Sequence, residues 1–160
     1  MKAIKAVYPG TFDPVTFGHM DIAVRAAKLF QDLTILVAVH PSKKAMFSSA
    51  QRVEFLKQSL QDVSGIKVRE YHGLLAKYVE EHRINTIIRG LRAVSDFEYE
   101  LSLALMNRRM NNDLETIFLT PREDLLYLNS TMVKQVAALG GDVSQWVPPV
   151  VSQAFTLMYQ

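Results

Sequence analysis

The feature that most constrains this chain is an alternation. Short runs rich in β-branched and aliphatic residues are separated by longer stretches whose apolar residues recur at helical spacing. Repeated strand–helix–strand units place successive strands parallel, with helices laid over the sheet. Five runs read as strands, at residues 3–8, 33–40, 66–71, 86–89 and 116–120, each nearly continuous in apolar residues as strands buried on both faces should be. Between the first two, residues 20–30 place Ile22, Ala23, Ala26, Ala27 and Phe30 on one helical face. A second helix is expected to open at Ser48, with Gln51 at capping-box spacing, and to leave at Gly65. A third covers residues 74–81, and a fourth opens at Ser95, with Glu98 in the same relation, and continues to about residue 110. The fifth follows Asn129 and ends at Gly140 and Gly141, and the last begins at the prolines 148 and 149 and runs to residue 159.

The expected fold class is therefore α/β: a Rossmann-like five-stranded parallel sheet with helices on both faces, in a single domain spanning residues 1–160. A chain of 160 residues with 49% hydrophobic content is long enough to close one such core. Eighteen Lys and Arg against 16 Asp and Glu give a net charge of +2, so long-range attraction to nucleic acid should be weak and no nucleic-acid partner is expected. The absence of cysteine excludes disulfides, thiolate metal sites and thiol nucleophiles. No apolar run approaches the ~18 residues of a membrane span, and the first eight residues do not look like a leader, so the expectation is a soluble cytoplasmic protein without a membrane partner.

The segment Tyr8-Pro9-Gly10-Thr11-Phe12-Asp13-Pro14-Val15-Thr16-Phe17-Gly18-His19 leaves the first strand and enters the first helix. Ligands of parallel sheets collect beyond the carboxyl ends of the strands, where helix N-termini favour an anion. His19 falls on that first turn. Pro41-Ser42-Lys43-Lys44 follows the second strand on the same side, so an ammonium there can reach the same ligand; a solvated lysine pair is the plainer alternative. Ile87-Ile88-Arg89-Gly90-Leu91-Arg92 ends a buried strand in two arginines. An arginine finishing an apolar strand needs an anionic partner: a ligand, or in the simpler case Asp96 or Glu98. Asn129-Ser130-Thr131 reads by itself as a helix cap, and Glu100 as a solvated helix residue. His40, His72 and His82 have no partners at metal-ligand spacing, and no metal-binding residues are expected.

Thr16-x-Gly18-His19 resembles the (H/T)xGH signature of the nucleotidyltransferase superfamily, which class I aminoacyl-tRNA synthetases share. Tyr8 to Pro14, Pro41 to Lys44, and Arg89-Gly90-Leu91-Arg92-Ala93-Val94-Ser95-Asp96-Phe97-Glu98-Tyr99-Glu100 are similar to bacterial phosphopantetheine adenylyltransferases over nearly the whole chain. That resemblance implies an enzyme of coenzyme A biosynthesis that transfers the adenylyl group of ATP to 4′-phosphopantetheine, giving dephospho-CoA and pyrophosphate. It implies His19, Lys43 and Arg92 as catalytic residues, His19 acting on charge at the α-phosphate. ATP would be held by Thr11, Phe12, His19, Gly90, Leu91, Arg92 and Glu100, together with Leu125, Leu126, Tyr127, Leu128, Asn129, Ser130 and Thr131. The acceptor would meet Thr11, Lys43, Leu75 and Arg89. Mg²⁺ with ATP and a homohexamer are also implied. Asn129 and Thr131 depart from the family's serine run, and Phe17 stands where a smaller or polar residue is usual. Two other readings stay open: a different superfamily member, such as a cytidylyltransferase or a nicotinamide mononucleotide adenylyltransferase, and a non-catalytic nucleotide- or RNA-binding module.

Overall fold

The computed structural model describes residues 4–42 and 44–159. Five parallel strands, β1 (Lys5–Gly10), β2 (Asp32–Ala38), β3 (Ile66–Tyr71), β4 (Thr86–Gly90) and β5 (Glu115–Leu119), form one sheet in the order β3-β2-β1-β4-β5. The helices are α1 (Phe17–Leu29), α2 (Ser49–Ser59), α3 (Leu75–Glu81), α4 (Val94–Met110), α5 (Ser130–Ala138) and α6 (Pro149–Tyr159). Pleating sends alternate residues of β1 to opposite faces. Ala6 and Tyr8 join Ile22, Leu56, Val133 and Phe155 in a core under α1, α2, α5 and α6, while Val7 joins Leu36, Ile87 and Val79 under α3. The α/β expectation with helices on both faces holds. No helix among the described residues is long and apolar enough to cross a membrane.

The central strands are continuously buried as expected, but the edge strands are not: β5 has no buried residue, and neither has β3. It is an edge strand on which Lys67, Arg69 and Glu70 face outward while Ile66 and Val68 pack on the core, so its burial alternates. β1 extends to Gly10, two residues beyond the apolar run; residue 3 of that run lies outside the described residues. The Ser48–Gln51 box forms with both reciprocal bonds. The box expected at Ser95 and Glu98 does not: backbone turns helical at Val94, with Ala93 as an uncapped start. A box requires its serine outside the helix, and Ser95 is already inside it. Asp96 in that first turn complements the helix dipole instead.

The strand order fixes where a ligand can sit. From β1 the chain moves outward through β2 to β3, then crosses back to β4 on the other side of β1 and moves outward again to β5. The connections after β1 and β4 therefore diverge, leaving a crevice beyond their carboxyl ends.

Candidate active site

A cavity of about 640 Å³ occupies that crevice, bounded by the exits of β1, β2 and β4 and by the starts of α1 and α5. Its first wall is the β1–α1 loop. Phe12 adopts a left-handed backbone with φ of 49°, which turns the chain and drives its ring into the core, edge-on to Tyr8 and His19 at centroid distances of 5.3 and 5.1 Å. A non-glycine residue held there signals a local conformation imposed by its surroundings. Asp13, bonded to Pro14 by a cis peptide, accepts the N–H groups of Met46 and Phe47, each at 2.9 Å, and an ion pair from Lys134 at 3.0 Å. Burial alone would raise the Asp13 pKa; those donors outweigh it and hold the carboxyl below its ordinary range.

Helix α1 begins with Thr16 as N-cap, three residues earlier than its apolar spacing suggests, and His19 closes the box. The Thr16 hydroxyl accepts the His19 N–H at 3.4 Å, and the Thr16 N–H donates to His19 Nδ1 at 3.1 Å. Because Nδ1 is the acceptor, the proton of the neutral ring belongs on Nε2. Burial, assisted by the nearby Arg92 charge, lowers the His19 pKa to about 4. His19 is thus a neutral imidazole lining the cavity, with Nε2–H as its remaining donor. Phe17 packs against the core and donates its N–H to the Trp146 carbonyl at 2.9 Å, which accounts for a large residue inside the motif.

Arg89 ends β4 with a fork onto Glu100 of α4. Nε and Nη2 reach the two carboxylate oxygens at 2.7 and 2.6 Å, and Nη1 donates to the Pro9 carbonyl at 3.0 Å. Three of five guanidinium protons are so engaged, which leaves two for a ligand. The internal partner is Glu100 rather than Asp96 or Glu98, and Glu100 is buried rather than solvated. Asp96 pairs with Arg92 at 3.4 Å, and Arg92 also donates to the Leu128 carbonyl at 3.2 Å, bridging the β4 exit to the segment before α5.

At α5 the Asn129 side chain caps the Met132 N–H at 2.9 Å, and the Ser130 hydroxyl donates to the Pro14 carbonyl at 2.7 Å. The Ser130 hydroxyl proton is therefore occupied in tying α5 to the first loop. The backbone N–H groups of Ser130 and Thr131 have no partner among the described residues, and nor does that of Gly18 in α1. Two helix N-termini thus converge on one cavity, an arrangement that favours a polyanion. Lys44, Arg52, Arg89, Arg92 and Lys134 line it against Asp13 and Glu100, so a chain of nearly balanced charge is locally cationic.

Thr11, Phe12, His19, Arg89, Gly90, Arg92, Glu100, Leu125, Leu128, Asn129, Ser130 and Thr131 all lie on the cavity wall. Lys43 lies outside the described residues. Leu91 gives its N–H to the Leu119 carbonyl, and Leu126 and Tyr127 are off the wall, the Tyr127 hydroxyl accepting from Trp146 Nε1 at 3.1 Å. Leu75 is likewise off the wall, packed at the start of α3 against the second core. Three residues given no role by the sequence reading organise the site. Arg52, 3% exposed, donates to the carbonyls of Phe47, Thr11 and Ala38 and so fixes the ends of β1 and β2 together. Its signal was position: it shares the buried stripe of α2 with Phe55 and Leu56. Lys134 stands one turn after Ser130, on the same helix face. Asp13 lies inside the motif itself.

A family model described as cytidylyltransferase-like matches residues 7–136. A curated phosphopantetheine adenylyltransferase of Thermotoga neapolitana is 45% identical over 149 residues, covering 93% of this chain and 92% of the relative. The chain belongs to the phosphopantetheine adenylyltransferase family. Among solved structures, a Vibrio parahaemolyticus protein provisionally named a nicotinate-nucleotide adenylyltransferase superposes with a TM-score of 0.70 at 15% identity, over 98% of this chain and 93% of its own. A lipopolysaccharide core biosynthesis protein of Thermoplasma volcanium gives 0.59 at 20% identity, over 76% and 99%. At those identities the two structures show a shared fold. Within the adenylyltransferase family, Arg89 to Glu100 acquires a geometric meaning here: it is the strand end and helix that carry the Arg89–Glu100 fork.

Proposed function

We propose that the protein catalyses adenylyl transfer from ATP to 4′-phosphopantetheine, releasing pyrophosphate and forming dephospho-CoA. The observation that carries the reading is the convergence of two helix N-termini, a neutral histidine and two arginines on one crevice, in a chain of this family. The ATP triphosphate lies across the free N–H groups at the starts of α1 and α5, with Arg92 and Lys134 beside it. The acceptor phosphate is held by the two remaining Arg89 protons and by Lys43. One of its oxygens attacks the α-phosphorus in line as the bond to the pyrophosphate oxygen breaks. An ionised phosphate is already a nucleophile, so no base is required; catalysis rests on alignment and on donors aimed at the equatorial oxygens of the five-coordinate phosphorus. His19 Nε2–H is the neutral donor for that charge.

Mg²⁺ is proposed to enter as MgATP. Both carboxylates of the cavity wall are held by internal donors, and the described residues form no cluster of three or more metal-binding side chains, so the protein offers the ion no carboxylate cage. We further propose a cytoplasmic homohexamer. Self-association is supported by α4, which exposes Phe97, Leu101, Leu105 and Met106 and buries only Glu100. Light scattering that gives a monomer at micromolar concentration would remove that part of the proposal.

A panel of acceptors tests the reaction. With ATP, 4′-phosphopantetheine should be adenylylated, whereas pantetheine without its phosphate and nicotinamide mononucleotide should not. Preferential turnover of the mononucleotide, or of CTP in place of ATP, would move the protein to another branch of the superfamily.

A further inference from the structure

Tyr8 is 5% exposed, yet its hydroxyl makes no hydrogen bond to any described residue. No described side-chain nitrogen or oxygen is both sealed from the surface and unpartnered, so this hydroxyl must reach the cavity, whose wall includes Tyr8. The ring cannot turn away freely: Phe12 packs against it edge-on at 88°. Phenylalanine would fill the same volume, and no described residue gives the hydroxyl a partner. The oxygen is therefore unexplained by the fold.

Its surroundings say what it faces. A Cβ built on Gly90 would stand 3.7 Å from the Tyr8 hydroxyl and 3.6 Å from Ile22 Cγ1. The hydroxyl therefore lies on the floor of the cavity between β4 and the second turn of α1, beside Gly90. Ile22 there is apolar, and the free N–H groups that suit a triphosphate stand at the helix starts; Arg89 and Arg92 are near enough to act on the phenol by charge, but Arg89 is held by Glu100 and the Pro9 carbonyl, and Arg92 by Asp96 and the Leu128 carbonyl. Lys44 and His40 of the β2 exit lie on the other side of β1. Burial pushes the phenol pKa well up, against the opposing pull of Arg89 and Arg92, so the group stays neutral and keeps its proton to donate.

We propose that the Tyr8 hydroxyl is a binding contact for the nucleoside part of ATP, holding it on the β1–β4 floor while the helix starts and arginines hold the phosphates. This rests on the adenylyltransferase reading given above. A single neutral group that donates and accepts suits a sugar hydroxyl or a base edge better than a phosphate. Its contribution would be to ATP affinity, with the acceptor site untouched.

The test is calorimetric titration of wild-type protein and Tyr8→Phe with ATP and, separately, with 4′-phosphopantetheine, beside steady-state kinetics and thermal unfolding. Wild-type ATP binding and acceptor-dependent transfer are established first; their absence would remove the adenylyltransferase reading and this contact with it. Given an active wild type, Tyr8→Phe should unfold at the same temperature or higher and bind ATP about 3–10-fold more weakly. KM for ATP should rise, while acceptor affinity and kcat stay within about twofold. Unchanged ATP affinity in a folded variant would overturn the contact and leave the enzyme assignment standing. Selective weakening of the acceptor, or equal weakening of both ligands, would overturn it as well.

Discussion

Arg89 and Glu100, eleven residues apart on a strand and a helix, are joined by two parallel hydrogen bonds of 2.7 and 2.6 Å. The pair is mostly buried and lines the cavity, and the fork fixes the plane of the guanidinium, which has two protons left for a ligand. On the proposed division of the site, Glu100 positions Arg89 for the acceptor phosphate. Glu100→Gln removes the charge and one acceptor oxygen, so it should lower unfolding free energy by about 1.5–3 kcal/mol. It should also raise KM for 4′-phosphopantetheine more than KM for ATP. Arg89→Lys, which keeps the charge but cannot make the fork, should do the same. Urea unfolding and two-substrate kinetics on both variants check this; equal KM changes for the two substrates would contradict it.

His19 has two separable jobs, closing the α1 capping box and presenting Nε2–H to the cavity. His19→Ala loses both, and turnover should fall by about 10²-fold or more, with about 1 kcal/mol of stability. His19→Gln restores a capping-box partner without an imidazole. Its stability should return to wild type while turnover stays low. Recovery of turnover with stability would make the histidine a cap alone.

The pH dependence of stability follows from the same ring. With a folded pKa lowered to about 4 against an ordinary value of 6.5, the unfolded chain binds the proton first as pH falls. Stability should therefore decline as pH drops from about 6.5 toward 4 and lose nothing further from this group below that window. Asp13 acts lower down: its folded pKa lies below 3.8, so its contribution is present above that value and is lost as pH falls further. Unfolding free energies of wild type and His19→Gln across pH 7 to 4 should diverge, the wild type showing the steeper loss. Parallel curves would mean that His19 titrates as a solvent-exposed histidine. In the folded protein, ¹⁵N spectra should show a protonated Nε2 and a bare Nδ1 at neutral pH.

Much of this site was legible because its signals are local. Gly10, Pro14, Thr16 and His19 follow one another along a single turn, and a strand–loop–helix reading is enough to bring them to the sheet's carboxyl edge. The pairing of Arg89 with Glu100 was not, because which of three acidic residues on α4 meets the guanidinium depends on where the helix begins. It begins at Val94, ahead of the Ser95 signal, so Asp96 takes Arg92, Glu100 takes Arg89, and Glu98 pairs with neither arginine. Arg52 and Lys134 escaped for a similar reason: apart from the Phe47 carbonyl, their partners are the carbonyls of Ala38 and Thr11 and the Asp13 carboxylate, 14 to 121 residues distant. The polar edge of β3 shows the complementary failure. Strand type was readable there, but edge position is a property of the whole sheet.

Gly90 supplies a test of cavity shape. An added Cβ would meet only Ile22 and Tyr8 at ordinary van der Waals distances of 3.6 and 3.7 Å, so packing does not demand glycine. Gly90→Ala should fold normally, yet its methyl would enter the floor of the cavity, and kcat/KM for ATP should fall about tenfold or more. Wild-type kinetics in a folded Gly90→Ala would place the nucleotide elsewhere.

The central claim is that this crevice joins two substrates in one transfer. Pyrophosphate release from ATP and Mg²⁺, followed with and without 4′-phosphopantetheine, tests it most directly. Release is expected only when the acceptor is present, one pyrophosphate for each dephospho-CoA formed. Release at the same rate without acceptor, or none with it, would contradict the account.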